Sequence, residues 1–143
     1  MTLYCRGIRG ATTADDNTRG AILDATHDLL IRLIEANDLC AEDIASAIFS
    51  TTPDLNAEFP AVAARALGWL DTALLCTHEM AVPSSLQRCI RVLIHWNTTR
   101  RADEIVHVYI REASTLRPER AQLPSRLVDP FEIVVPTMIP AEG

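Results

Sequence analysis

Six of the eight residues in the segment 89–96 are apolar, and this run constrains the fold more than any other part of the sequence. Side chains of an extended strand point alternately to opposite faces. One face would carry Ile90, Val92, Ile94 and Trp96, and the other Cys89, Arg91, Leu93 and His95. Both faces are therefore largely apolar, which is typical of a strand buried on both sides.

The rest of the chain predicts two helices around this strand. Apolar residues recur at helical spacing up to about Asn37, and the segment 15–18 offers candidates for the N-cap of that long helix. A short Ala-rich helix is expected over 60–67, with Pro60 in its first turn and Gly68 after its end.

Five strands are predicted, and they are separated by turn signals such as Pro53-Asp54 and Pro83-Ser84. They cover residues 3–11 (ending at Gly10), 44–51, 69–79, 88–97 and 104–113. The element order indicates an α+β fold, with a five-stranded mixed β-sheet and both helices on one face. Two helices leave the second face uncovered, which favours oligomerisation.

Residues 1–118 are expected to form one domain, since the chain of 143 residues is 48% hydrophobic and long enough for a core. Residues 119–143 lack a clear period and contain several prolines, so they are predicted to form an extended tail. The N-terminus has no signal-peptide pattern and no stretch reaches about 18 apolar residues, so we expect a cytoplasmic protein.

The charged residues exclude several function classes. All thirteen basic residues are arginine, and without lysine a Schiff-base, pyridoxal phosphate or P-loop mechanism is impossible. A net charge of −6 without a basic stripe argues against nucleic-acid binding. The four cysteines lack metal-ligand spacing, so we expect reduced thiols that lie mostly in the core. Motifs for nucleophilic, zinc or dinucleotide chemistry are missing as well.

Arg91 is the strongest candidate for a functional residue, because a buried unpaired charge costs about 3–5 kcal/mol and needs a partner. That partner is either a carboxylate of the protein, in a structural ion pair, or an anionic ligand. Tyr109 is predicted to share a polar face with Arg91, although it could equally be a packing residue. Arg9 lies between two glycines and Glu79 ends the third strand. Together these side chains suit a carboxylate-bearing molecule and the stabilisation of separated charge.

Seven segments closely resemble the small monofunctional AroH-class chorismate mutases, in order and at near-constant spacing over residues 3–118. They are RGIRGATT (6–13), TPDL (52–55), FPA (59–61), CTHEM (76–80), CIRV (89–92), HVY (107–109) and LRP (116–118). The resemblance implies a homotrimer whose sheets form a pseudo-α/β-barrel, with an active site at each subunit interface. It also implies the Claisen rearrangement of chorismate to prephenate, on the route to phenylalanine and tyrosine, without cofactor or metal.

The resemblance further implies roles for individual residues. Arg91 would donate to the ether oxygen and to a carboxylate, Arg9 and Tyr109 would hold the pyruvyl carboxylate, and Glu79 and Cys76 would grip the ring hydroxyl. Other implied substrate-binding positions are the apolar walls Phe59, Ala61, Leu74 and Leu75, the entrance residues Arg65 and Arg117, and Leu116.

Two departures from the family pattern bear on the site. Val62 stands where a lysine is expected, so any ligand contact from that side chain is lost. The tail beyond Arg117 is longer and more apolar than expected, which favours a lid or a segment that packs on a neighbouring subunit.

Two other functions remain open. A non-catalytic trimeric module that binds a small carboxylate would keep Arg9 and Tyr109 but has no need for Arg91 and Glu79 together. A purely structural trimer would pair Arg91 within the protein and show no stabilisation by ligand. The joint presence of Arg91 and Glu79 favours the enzyme.

Overall fold

The computed structural model describes residues 2–118, and the predicted tail lies outside the described residues. The elements in chain order are β1 (Tyr4–Thr13), α1 (Arg19–Asn37), β2 (Ile44–Thr51), α2 (Ala61–Ala66), β3 (Ala73–His78), β4 (Cys89–Thr98) and β5 (Val108–Tyr109). Short 3₁₀ turns lie at Ala41–Asp43, Ala102–Glu104 and Arg111–Thr115.

The strands form one mixed sheet in the order β3-β2-β4-β1-β5. The central strand, β4, is antiparallel to both of its neighbours, β1 and β2. The outer strands β3 and β5 are parallel to β2 and β1 respectively. The predicted α+β class, the five-stranded mixed sheet and the interior position of the fourth strand are confirmed.

Both helices pack on one face of the sheet. The predicted stripe of α1, which includes Ile22, Leu29 and Leu33, is buried against it. Contact is close enough that a Cβ on Gly10 would lie 2.9 Å from Cδ1 of Leu33, so glycine is needed at that position. Thr18 is the N-cap of α1, where its hydroxyl accepts the N–H of Ala21 at 3.1 Å.

Within residues 2–118, the second face of the sheet is covered only at one edge, where the 3₁₀ turn at Arg111–Thr115 packs against Ala11, Cys89 and Tyr109. Leu93 and Ile48 are only half-buried on this face. Three apolar side chains of β3 and the segment after it are strongly exposed: Leu75 (60%), Met80 (75%) and Val82 (53%). The prediction of an uncovered face is confirmed for most of the sheet, and beyond Cys89 the second face of β4 lacks the cover that its apolar side chains favour.

The predicted boundaries of three strands were wrong. β1 continues past Gly10 to Thr13, because its pairing with β4 runs on to Cys89. β3 begins at Ala73 instead of residue 69, since the N–H of Trp69 closes the end of α2 on the carbonyl of Ala64.

The fifth strand has two residues instead of ten. Before it, the Glu104 carboxylate accepts the N–H of Arg101 and closes a 3₁₀ turn. After it, Arg111 has a φ of 54°, a left-handed conformation that ends the extended chain.

The expectation of mostly core cysteines was also wrong. Cys89 is buried and Cys76 half-buried, but Cys5 and Cys40 are exposed. Cys5 lies near the outer end of β1, and Cys40 follows α1 just before a 3₁₀ turn. No helix in residues 2–118 combines the length and the hydropathy needed to cross a membrane.

Candidate active site

A cleft of about 620 Å³ lies on the uncovered face of the sheet, and we call it the open-face cleft. It is lined by three of the predicted site residues, Arg9, Glu79 and Arg91, which come from β1, the segment after β3, and β4. Because side chains alternate between the faces of β4, Arg91 lies on this face while its neighbours Ile90 and Val92 pack in the core. Three residues far apart in the sequence are thus brought together by strand pairing.

Strand register aligns Arg91 with two further residues of interest. Arg91 pairs with Ser50 on β2 and with Ala11 on β1. Ala11 pairs in turn with Tyr109 on β5. Arg91 and Tyr109 therefore share one face and one row, as predicted, with the small side chain of Ala11 between them.

Arg91 and Glu79 form an ion pair without a hydrogen bond at the guanidinium Nε. The distance from Nε of Arg91 to Oε2 of Glu79 is 3.5 Å, and the two side chains are 25% and 35% exposed. Nε is itself buried and has no hydrogen-bond partner. An unmet buried donor costs about 1–3 kcal/mol, so Nε of Arg91 is a charged donor that is still available for a ligand.

The charged residues around the cleft affect the pKa of the Cys89 thiol. Burial raises its pKa, which is the largest effect on this group. Arg91 and Arg9 act in the opposite direction and Glu79 adds to the rise in pKa, so all three charged groups lie close enough to influence this thiol. The open-face cleft therefore brings two cationic side chains and one anionic side chain close together.

A second cleft, of about 360 Å³, lies between β3 and the loop before α2, and we call it the loop cleft. It is lined by Phe59, Cys76 and His78, among others. Burial raises the pKa of the Cys76 thiol, while a hydrogen bond with the backbone of Ala61 and the charge of Arg65 lower it. Phe59, Ala61, Arg65 and Cys76 thus form a second group of predicted residues.

Within one chain, the predicted residues of the open-face cleft and those of the loop cleft do not form a single site. Cys76 pairs with Phe49, which is fully buried, so its side chain points toward the helix side of the sheet. Glu79 lines the cleft on the opposite face. Cys76 and Glu79, expected to contact the same hydroxyl, therefore face different clefts.

The remaining predicted residues lie outside both clefts or at their margins. Tyr109 is only 1% exposed and packs with Ala11, Cys89 and Ala113, and Leu116 lies against this cluster. Leu74 packs on the core, whereas Leu75 is exposed on the uncovered face. Arg117 and Val62 are half-buried.

Sequence reasoning missed several residues that line the open-face cleft, notably Ser50, Thr52 and Met80. The hydroxyl of Ser50 is buried without a partner beside Arg91. The hydroxyl of Thr52 accepts the N–H of Cys89 at 3.0 Å. Alternation along β2 places Ser50 on one face, but only the pairing of β2 with β4 shows that Arg91 is its neighbour.

In the described part of the chain, no three His, Cys, Asp or Glu side chains gather as a metal site would require.

Comparisons with known proteins agree with the resemblance drawn from the seven segments. The family model for chorismate mutase type I matches residues 5–120. The chain is 49% identical over 115 residues to chorismate mutase AroH of Thermus thermophilus, covering 80% of this chain and 94% of that protein. It is 44% identical over 118 residues to chorismate mutase AroH of Bacillus subtilis, covering 82% and 93%.

A solved structure gives the same result at the level of the fold. A chorismate mutase from Clostridium thermocellum matches with a TM-score of 0.75 and 50% sequence identity, covering 76% of this chain and 97% of that chain. The matched family range contains every residue of both clusters described above. By sequence and by fold, the chain belongs to the chorismate mutase type I family.

Proposed function

We propose that this protein is a chorismate mutase that converts chorismate to prephenate, on the route to phenylalanine and tyrosine. Family membership supports the reaction, and one observation in the structure supports the mechanism. Arg91 presents a charged donor with an unmet Nε next to the Glu79 carboxylate in the open-face cleft. Such a donor suits a substrate whose ether oxygen gains negative charge during the reaction.

The rearrangement is unimolecular, so the protein has no bond to make with its substrate. One carbon–oxygen bond of the enol-pyruvyl ether breaks as one carbon–carbon bond forms, and no atom is gained or lost. Catalysis then consists of holding the compact conformer and stabilising the charge that develops on the ether oxygen. This requirement is met by fixed donors and apolar walls, which is the composition of the two clefts.

We assign the charged groups of the open-face cleft according to this chemistry. Arg91 donates to the ether oxygen and Arg9 holds a carboxylate, for which the planar guanidinium fork is well shaped. Glu79 accepts from the ring hydroxyl and orients Arg91. Tyr109, which lies in the row of Arg91, reaches a substrate carboxylate only if the segment that covers it shifts.

We further propose that a complete active site forms between copies of the chain in a homotrimer. The open-face cleft of one subunit would meet the loop cleft of its neighbour, so that Phe59, Ala61, Arg65 and Cys76 close over the substrate from the second side. Two observations support this arrangement. Phe59 is 65% exposed despite its size, and Leu75, Met80 and Val82 leave apolar surface on the uncovered side of the sheet.

Activity and subunit arrangement are tested by separate experiments. Loss of the ultraviolet absorbance of chorismate on mixing, with heat-treated protein as the control, tests turnover. Co-expression of Arg91→Ala with Phe59→Asp tests the shared site, because each variant alone carries one damaged half in every site. When the two variants assemble at random, about one quarter of all interfaces would combine two intact halves, so activity well above either variant alone is expected. No recovery in trimers shown to be mixed would refute the shared site.

The second candidate is a non-catalytic trimeric module that binds a small carboxylate. It predicts that chorismate raises the melting temperature of the protein without being consumed.

We propose the cytoplasm as the location of the protein. Its four cysteines form no disulfide bond, which is compatible with a reducing compartment.

A further inference from the structure

The loop that carries Phe59 is fastened by Asn17 and Arg19, two residues at the start of α1 that line neither cleft. Oδ1 of Asn17 accepts the backbone N–H groups of Asn56 and Ala57, each at 3.0 Å. Nδ2 of Asn17 donates to Oδ1 of Asn56 at 2.9 Å. These three bonds fix the backbone of the loop two to three residues before Phe59.

Phe59 itself is held by a relay through Glu58. Nε of Arg19 donates to Oε1 of Glu58 at 2.8 Å. The N–H of Phe59 donates to Oε2 of the same carboxylate at 2.9 Å. The hydrogen bond from Phe59 and the neighbouring Arg19 lower the pKa of Glu58, so the carboxylate is ionised at neutral pH and accepts at both oxygens.

Stability does not explain this relay well. The side chain of Arg19 is 66% exposed and that of Glu58 18%, so solvent reaches the arginine end of this ion pair and its contribution to the free energy of unfolding is small. Phe59 is also exposed, so no core packing fixes its position. The backbone that carries the aromatic ring is restrained by the hydrogen bond from the N–H of Phe59 to Glu58, and by the N–H of Val62, which donates to the carbonyl of Phe59 at 3.1 Å.

We propose that Arg19 and Glu58 are positioning residues that hold Phe59 in place as the aromatic wall of the substrate site. The inference rests on the proposed function and goes beyond it, because it gives a role to two residues that the sequence did not indicate. Glu58 borders the loop cleft, whereas Arg19 acts on Phe59 only through Glu58. A wall that is ordered before binding spares the substrate the entropy cost of ordering the loop. Disrupting the relay should therefore weaken substrate binding and leave the chemical step nearly intact.

The first test compares kinetic constants of purified variants for chorismate turnover. Glu58→Ala and Arg19→Ala are expected to raise KM about three- to tenfold and to change kcat less than about twofold. Glu58→Gln keeps an oxygen for the N–H of Phe59 and should recover part of the loss. Arg101→Ala is the matched control, since Arg101 forms an exposed ion pair with Asp103 far from the loop and should leave KM unchanged.

A double-mutant cycle tests whether the relay acts through Phe59. In a Phe59→Ala background, Glu58→Ala should raise KM no further, because the ring that it positions is gone. A second increase equal to that seen in the wild type overturns the proposal, as does an unchanged KM in the single variants. Wild-type turnover is the reference in both tests, so an inactive wild type would refute the proposed function, whereas a failed cycle with active wild type refutes only the relay.

Discussion

Replacing Arg91 by alanine should abolish most of the turnover while leaving the protein folded. The loss of a preorganised charged donor lowers kcat by about 10²–10³-fold, and further where the donor also orients the substrate. At 3.5 Å the attraction between Arg91 and Glu79 is about 5 kcal/mol at an effective dielectric constant of 20. With the side chains 25% and 35% exposed, solvent screens most of that attraction.

The expected effect on stability is therefore small. The substitution removes the unmet Nε and leaves Glu79, which is partly exposed and can be hydrated by water. We expect a change in the free energy of unfolding within about 1 kcal/mol, equivalent to a few degrees in Tm. Chorismate turnover measures the first quantity, and thermal unfolding followed by circular dichroism measures the second.

Arg111→Ala is the matched control for this prediction. Arg111 is 31% exposed, pairs with Asp28 at 3.3 Å and donates to the carbonyl of Thr13 at 3.2 Å. Its loss should lower Tm as much as that of Arg91 but leave kcat within about threefold of the wild type. Equal losses of kcat in the two variants would refute a special role for Arg91. A neutral citrulline at position 91 that retained nearly full rate would refute the electrostatic mechanism.

Three further predictions concern packing, thiols and pH. Gly10→Ala should cost about 1–3 kcal/mol in chemical denaturation, because the new Cβ meets Cδ1 of Leu33 at 2.9 Å; an unchanged midpoint would contradict the close helix packing. Iodoacetamide at neutral pH should modify Cys76 and Cys89 far more slowly than the two exposed cysteines, since burial raises both pKa values; mass mapping of the products checks the order. The pKa of Glu58 is lowered in the folded protein, so the restraint that its carboxylate places on Phe59 is present above the ordinary pKa of 4.5 and is lost only as the pH falls through the lower folded value. KM for chorismate should therefore stay constant from neutral pH down to about 5. A rise in KM at a pH above 5 would contradict this direction of the shift.

The sheet could be predicted largely because hydrophobic periodicity reports burial directly. The segment 44–51 coincides with β2, and the stripe of the long helix ends at Asn37 as predicted. The fifth strand was overestimated because Val106 and Val108 alternate like a longer strand, while local contacts at Glu104 and a left-handed residue at Arg111 end it early. Such local conformations are not visible in a periodic pattern.

The candidate site was predictable only where one strand decides which face a residue occupies. Arg91 could be assigned to the uncovered face from alternation within its own strand. Ser50 could not be placed beside it, because strand order depends on contacts between distant segments. The relay from Arg19 to Phe59 was also missed, since Arg19 and Glu58 are 39 positions apart and nothing in the sequence between them signals that these side chains meet.

The two clefts differ in what holds their walls. Arg9 and Arg91 project from β1 and β4, which pair over ten consecutive positions at the centre of the sheet and above the main core. Phe59 projects from a loop that is held in part by solvent-exposed hydrogen bonds. Displacing Arg9 or Arg91 therefore requires disruption of the central strands, whereas the loop that carries Phe59 can fluctuate locally at a smaller free energy. The relay from Arg19 to Phe59 limits the extent of those fluctuations.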